Sequence, residues 1–488
     1  MNRGIVLGDW ITDSIVTQIY TGLLPCGTNM PTVDKLCETY CVGRNTMRRV
    51  LLRLEEGGYI TQSRGKPAKV IFDFNSAARR ESHIMDLLKR REAVLDVYNV
   101  LGLLMPDVAA YCLDLCGEKE IALLKSKMQT LYAQLPQKLE ALPTLQMSIY
   151  RDAISKAGNP LLTQMLIDML RYAQPPFSSV KQNHENYSAS IAQSKQMISL
   201  LMNAVSTGDG ELLKSAVRQF CVTTAGQSKR FFDRLAGTVE KVPAASSQFY
   251  WSIDQRREYR YAKVAVDLLK SISSGQYGPG DLLPSYAELS ETYHIAGKTA
   301  EKAIAVLSDF QIVCTQNGVG TRVLHKSERN YEQFSKDPAM LHNLSTYLMC
   351  LQIVMLTSNE IVMEGMKYID NRQIADLTQS MYSGRCVSVQ PLFDFFYRAI
   401  PSPCLQRIYS QLQDGMVWGC CLELFGKEPG EAQYRMTQQA RTAVETLKSR
   451  DARRTAESML EMYRFIMSAT LKSLPPLPRA VPIPVIPK

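Results

Sequence analysis

LCETYCVGRNTMRRVLLRLEEGGYITQSRGKPAKV, residues 36–70, decides the fold of this chain. It reads as a short helix, a tight turn at Cys41-Val42-Gly43, and a second helix whose apolar residues Met47, Val50, Leu51 and Leu54 recur at i, i+3, i+4 and i+7. That spacing buries one face. At about 100° per residue the opposite arc carries Arg44, Asn45, Arg48 and Arg49, three guanidiniums and an amide directed away from the core. Gly57-Gly58 stops the helix, Tyr59-Ile60-Thr61 reads as a strand, Arg64-Gly65-Lys66-Pro67 as a basic turn, and Ala68 to Phe72 as the return strand of a β-hairpin wing. The helix alone is equally an amphipathic helix with a solvated basic face. The wing behind it favours a head shaped for the groove of double-stranded DNA.

Outward from this stretch, 488 residues with 45% hydrophobic content supply several cores rather than one, so the chain is multidomain. The formal charge of +9 permits a polyanionic partner, but it is spread over a long chain, and a local basic face is the better indicator. Twelve cysteines without a CxxC pair point to a reducing, cytoplasmic setting. Cys37/Cys41 and Cys112/Cys116 stand four apart, a spacing that buried helical thiols share with metal pairs. No secretory signal opens the chain and no run of 18 apolar residues occurs, so no membrane partner is expected.

The segment Thr21–Ile60 returns at Ser274–Val313 with a constant offset of 253 and no gap. Gly22/Gly275, Gly27/Gly280, Pro31/Pro284, Leu36/Leu289, Glu38/Glu291, Thr39/Thr292, Tyr40/Tyr293, Thr46/Thr299 and Leu54/Leu307 are identical, and Gly65 falls on Gly318. These are turn and core residues, so the chain is a tandem duplication: a small head, a helical body, and both again. In the second head Gly297, Lys298, Glu301 and Lys302 stand where Arg44, Asn45, Arg48 and Arg49 do, while Ala300, Ala303, Ile304 and Leu307 keep the apolar face. Arginine forks guanine or clamps phosphate, whereas glutamate is repelled by phosphate unless it accepts from cytosine. The first head is therefore expected to dominate DNA affinity.

These residues resemble the GntR family of bacterial transcription regulators, whose winged helix-turn-helix sets glycines, a proline and arginines in register with its helices. Copy one matches at Ile19, Gly22, Pro25, Gly27, Pro31, Leu36, Val42, Arg44, Thr46, Arg48, Leu54, Gly58 and Ile60. Copy two matches at Ile272, Gly275, Pro279, Gly280, Leu283, Pro284, Ser285, Leu289, Ile295, Thr299, Leu307 and Val313, the scaffold more than the reading face. The wing Gly65-Lys66-Pro67-Ala68-Lys69-Val70 is similar to that of the fatty-acid-responsive FadR branch. The resemblance implies DNA contacts from Arg44, Asn45, Thr46, Arg48, Arg49, Arg64, Gly65 and Lys66, with weaker ones from Lys298, Thr299 and Lys302.

Helical periodicity and short polar breaks such as Ala157-Gly158-Asn159-Pro160 and Thr207-Gly208-Asp209 make residues 76–241 an all-α bundle. Tyr150 to Ile154, Gly158 to Leu162 and Ala204 to Asp209 resemble signatures of the FadR-type body. Many bodies of that type hold a metal through a carboxylate and three histidines, but here those places are Met147, Arg151, Ile198 and Phe220, with Phe393 and Tyr397 replacing the first two ligands in copy two. None of these ligates a divalent ion, so no metal and no cofactor is expected. Arg151 could instead receive an anionic effector directly, or pair with an internal acid or solvent. An apolar cavity for a lipid-like effector, or no ligand at all, is also open.

The expected fold is mainly α: two winged helix-turn-helix domains, each with a small β-wing, and two helical bundles. Boundaries follow the repeat: residues 1–75, first head; 76–241, first body; 242–258, a linker; 259–327, second head; 328–473, second body; 474–488, a proline-rich tail with six prolines in fifteen residues. The linker's Phe249-Tyr250-Trp251 is too apolar to be free. One chain with two heads is expected to form an intramolecular pseudo-dimer on an asymmetric site, a true homodimer with four heads being the competing arrangement. The other functional class is a helical sensory or protein-interaction module whose heads no longer bind DNA. No phosphate loop, HExxH or GxSxG is present, so an enzyme is not expected.

Overall fold

The computed structural model describes residues 3–20, 24–40, 42–63, 65–72, 80–135, 142–173, 184–253, 260–273, 275–328, 338–382, 390–419 and 430–473. Two compact units divide the chain: Met1–Arg257 with Ser402–Arg407, and Glu258–Pro401 with Ile408–Lys488. The proline-rich tail lies outside the described residues.

In the first unit, α1 (Arg3–Tyr20), α2 (Val33–Tyr40) and α3 (Arg44–Glu56) precede the wing β1 (Ile60–Thr61) and β2 (Lys69–Val70). Helix α3 buries Met47, Val50, Leu51 and Leu54, as its periodicity requires, against α1 residues such as Ile11 and Ile15. The wing pairs antiparallel, Ile60 with Val70 and Thr61 with Lys69, and Asn29 adds a bridge to Lys69. Its strands are shorter than the sequence implies. Tyr59 and Phe72, expected within them, turn instead into an aromatic cluster with Tyr20 and His83.

That cluster joins head to body. Tyr20 and Tyr59 hydroxyls lie 2.9 Å apart, Tyr59 donates to Asp86 Oδ2 at 2.9 Å, and the Tyr59 ring stacks on His83 at 4.9 Å. Burial and the neighbouring Asp86 charge push the Tyr59 phenol upward. His83 and Asp86 belong to α4 (Arg80–Lys89), the first body helix.

The body continues as α5 (Arg91–Asp114), α6 (Glu118–Gln134), α7 (Leu142–Ile154), α8 (Pro160–Ala173), α9 (His184–Thr207) and α10 (Gly210–Ala236). Small residues let α5 and α10 lie close: a Cβ on Gly102 would meet Cys221 at 3.6 Å, and one on Gly210 would meet Ala110 at 3.5 Å. Between α7 and α8, Gly158 takes φ +64° and Asn159 caps α8 by accepting from Leu162 N–H at 2.9 Å, ahead of Pro160. Asp209 caps α10 likewise, accepting from Leu212 N–H at 3.0 Å. Of the linker, Phe249 and Trp251 are buried, and Phe249 packs edge-on to Tyr172 at 5.3 Å.

The second unit repeats the plan. Helices α11 (Arg260–Ser273), α12 (Tyr286–Tyr293) and α13 (Gly297–Asp309) lead into β3 (Val313–Gln316) and β4 (Gly320–Val323). The offset of 253 runs on through the wing: Val313 pairs with Val323 as Ile60 does with Val70, and the Leu282–Arg322 bridge matches Asn29–Lys69. The helical body is α14 (Pro338–Gly365), α15 (Asn371–Tyr382), α16 (Gln390–Ala399), α17 (Pro403–Met416), α18 (Gly430–Lys448) and α19 (Ala452–Ser473). Head and body meet through an apolar seam in which Phe310 packs edge-on to Trp418 at 5.2 Å and Val417 enters the head's core. A Lys270–Asp414 ion pair at 2.8 Å flanks it.

Among the described residues two helices, Arg91–Asp114 and Leu341–Gly365, are long and apolar enough to cross a membrane by length and composition. Each is mostly buried, 61% and 78% over the apolar window, as the core helix of a folded domain is.

Candidate nucleic-acid interface

The first head presents its basic residues on a rigid element. Gly43 supplies the extended residue before α3, and Arg44, Asn45, Arg48 and Arg49 are all exposed on the arc opposite the buried stripe. Thr46 is half-buried at the edge of that arc. Arg48 and Arg49 form no ion pair among the described residues. At the wing tip Gly65 takes φ +75°, the left-handed region that lets the hairpin turn tightly, and Lys66 is exposed beside it. Arg64 lies outside the described residues. Fixed on α3 and the wing, these cations can address phosphates and base edges together.

Arg44 differs from its neighbours. Its Nε donates to Asp34 Oδ1 at 2.8 Å and its Nη2 to Asp34 Oδ2 at 2.9 Å, a two-pronged bond from α3 back to the first turn of α2. Sequence periodicity did not signal Asp34, because the pair spans the turn and depends on how the two helices cross. Lys35 and Lys69, also exposed on α2 and the wing, add basic residues that the motif did not single out.

In the second head the same positions are exposed but chemically altered. Lys298 and Lys302 flank Glu301, Thr299 is half-buried, and no arginine projects from α13. The wing keeps its turn, with Gly318 at φ +79°. Its arginine, Arg322, is engaged by Glu328 through bonds of 2.9 and 2.6 Å. That guanidinium holds the Glu328 carboxyl down at about 2. The scaffold is better capped than in copy one: Ser285 and Glu288 close a reciprocal capping box on α12, where the first head has Thr32 and Lys35.

An apolar cavity of about 100 Å³ opens inside the first body, lined by residues that include Met105, Cys112, Met128, Tyr150, Val217 and Phe220. Of the four positions expected at an effector pocket, the structure brings only Phe220 to it. Met147 and Ile198 are buried one helical turn away, Met147 being three residues before Tyr150 and Ile198 three before Leu201, both of which do line it. Arg151 is exposed and does not line this cavity. Ile149, Tyr150, Ala153 and Ile154 are the α7 residues facing the cavity, and the step of about 100° per residue turns Arg151 out to solvent. In the second body Phe393 stacks on Tyr463 at 5.4 Å and Tyr397 packs on Tyr409 at 5.2 Å, so both expected positions belong to an aromatic core. Among the described residues no group of three His, Cys, Asp or Glu stands close enough to hold a metal ion.

Two three-helix heads with hairpin wings, each fused to a helical bundle, define a winged helix-turn-helix protein in duplicate. The profile of "Bacterial regulatory proteins, gntR family" matches residues 7–70 and again 260–323, so both heads are domains of the GntR family. Relatives include the fatty acid metabolism regulator protein of Haemophilus influenzae, 34% identical over 89 residues, which are 18% of this chain and 37% of the relative. The protein of the same description from Vibrio vulnificus is 34% identical over 96 residues, 20% of this chain and 32% of that one. The chain thus spans about a third of the length of the curated relatives it matches. Among solved structures, Streptococcus agalactiae GntR is 14% identical with a TM-score of 0.24 over 45% of this chain and 99% of its own. E. coli McbR/YncC is 17% identical with a TM-score of 0.24 over 47% and 97%. Scores so low do not bear on how the two units are arranged.

Proposed function

We propose that the protein is a sequence-reading transcription regulator that binds double-stranded DNA chiefly through its first head. The observation that carries this is the exposed row Arg44, Asn45, Arg48 and Arg49 on α3, set opposite a fully buried stripe and followed by a wing with Lys66 at its tip. The chemistry suits a major groove and adjacent phosphates. An electrophoretic shift on the DNA upstream of its own gene tests it. Arg48→Ala should weaken binding by about tenfold or more. Specific binding that survives both Arg44→Ala and Arg48→Ala would falsify the assignment of the reading helix.

The duplication supports a further reading, a covalent pseudo-dimer in which unlike heads address an asymmetric site. Light scattering separates it from a homodimer: a mass near 54.9 kDa fits the pseudo-dimer and twice that value the homodimer. The cavity of the first body supports an apolar, lipid-like effector that modulates DNA binding, and the name of the Haemophilus influenzae relative points the same way. Decanoate should raise the melting temperature of the wild type and of Arg151→Ala alike, and Ala153→Phe, which fills the cavity, should abolish the rise. A rise that persists in Ala153→Phe removes the cavity from the proposal.

A second reading applies to the second head: a scaffold or protein-contact element rather than a DNA reader. Glu301 amid its reading face and the engagement of Arg322 by Glu328 favour it.

A further inference from the structure

An exposed ion pair contributes little to stability, because water already solvates both partners and two long side chains must be held still. Arg44 and Asp34 are 66% and 63% exposed, yet they meet in a two-pronged geometry, with Arg44 Nη2 also 2.7 Å from Oδ1. A carboxylate here is otherwise a liability, since it sits among cations that would approach phosphate. The pair is also lost together. At the constant offset of 253, Asp34 falls on Ala287 and Arg44 on Gly297, while neighbouring scaffold positions such as Leu36/Leu289 and Thr46/Thr299 stay identical. The pair therefore follows the reading face and not the fold.

Guanidinium has five N–H donors in a rigid plane. Asp34 occupies the Nε–Nη2 edge. The Nη1–Nη2 end keeps a parallel pair of N–H groups, the arrangement that matches O6 and N7 of guanine. An arginine fixed by one edge also loses less side-chain freedom when its other edge binds, and it is held back from swinging to a phosphate.

We propose that Asp34 is the specificity-determining positioning residue of the first head, its carboxylate fixing Arg44 so that the free end of the guanidinium is a fork for one guanine in the major groove. This rests on the DNA-reading function proposed above. It predicts that Asp34 contributes to discrimination and not to raw affinity.

The test is selection of duplexes from a random-sequence pool by the full chain, followed by binding titrations on the selected duplex, on a copy with its invariant guanine changed to adenine, and on an unrelated duplex. The wild type should prefer guanine at one position by about tenfold or more. In Asp34→Ala that preference should fall to about twofold, while binding to the unrelated duplex stays level or strengthens, because a negative charge has been removed from the interface. Asp34→Asn, which offers one acceptor in place of two, should fall between. An unchanged guanine preference in Asp34→Ala overturns the proposal. So does an equal loss on all three duplexes with a lowered melting temperature, which is the signature of a merely structural pair. Failure of the wild type to enrich any duplex overturns the DNA-reading function itself, and this outcome is distinct from the other two.

Discussion

Leu54 and Leu307 sit at the same place in the two heads, each fully buried, while earlier on the same helices Arg48 faces solvent in one head and Glu301 in the other. On this helix the buried face stays apolar in both heads, and the charge changes on the exposed face. The interior is constrained by close packing, in which a lost methylene is felt, whereas an exposed position tolerates replacement at little cost in stability. A duplicated domain can therefore lose its ligand chemistry and keep its fold. The second head retains every helix, the wing register and the glycine turn, and it gains a capping box.

The largest expected effect tests the shared interior. Leu54→Ala and Leu307→Ala should each destabilise their unit by about 3 kcal/mol in denaturant titration, the range for a buried leucine with a cavity left behind. Markedly unequal losses would break the equivalence of the two cores. Next comes the divergent exterior. Arg48→Glu, which gives the first head its counterpart's residue, should cost about 2–3 kcal/mol of DNA binding, whereas Lys302→Ala in the second should cost under about 0.5 kcal/mol. Comparable losses from the two would show that the heads share the load.

A smaller effect concerns how each head is attached. Tyr59→Phe removes the hydroxyl that links Tyr20 to Asp86 and should destabilise the first unit by about 1–2 kcal/mol, read as a lower midpoint of thermal unfolding. The smallest is electrostatic. Glu328 titrates at about 2 because Arg322 favours its charged form, so its stabilising contribution is present above pH 4.5, its ordinary value, and is lost as pH falls through about 2. Carboxyl titration by NMR should return Glu328 towards the ordinary range in Arg322→Ala. An unmoved Glu328 would mean that the wing arginine is free for another partner.

The heads were largely legible because their information is local. Periodicity gave the four buried residues of α3, and the repeat gave the second head, since turn glycines and core leucines must recur at fixed spacing. The bodies were less so. Met147 and Ile198 fell one turn from the cavity and Arg151 on its outer side, because a helical pattern sets which residues share a face but not which neighbouring helix that face meets. The Asp34–Arg44 bond and the Tyr20–Tyr59–His83 cluster were invisible for the same reason: each joins residues from separate elements, placed by tertiary packing.

The junction cluster has an implication for chimeras. Since residues 7–70 and 260–323 are of equal length and align without a gap, the heads are interchangeable cassettes as far as chain length is concerned. Their mounts are not. At the offset of 253, Tyr20 and Tyr59 fall on Ser273 and Ile312, so a second head grafted onto the first body would leave Asp86 and His83 facing an isoleucine. The first head grafted onto the second body would set a tyrosine hydroxyl pair beside the Trp418 seam. Each body thus carries a lock keyed to its own head, and a swapped cassette would fold correctly yet be mounted askew.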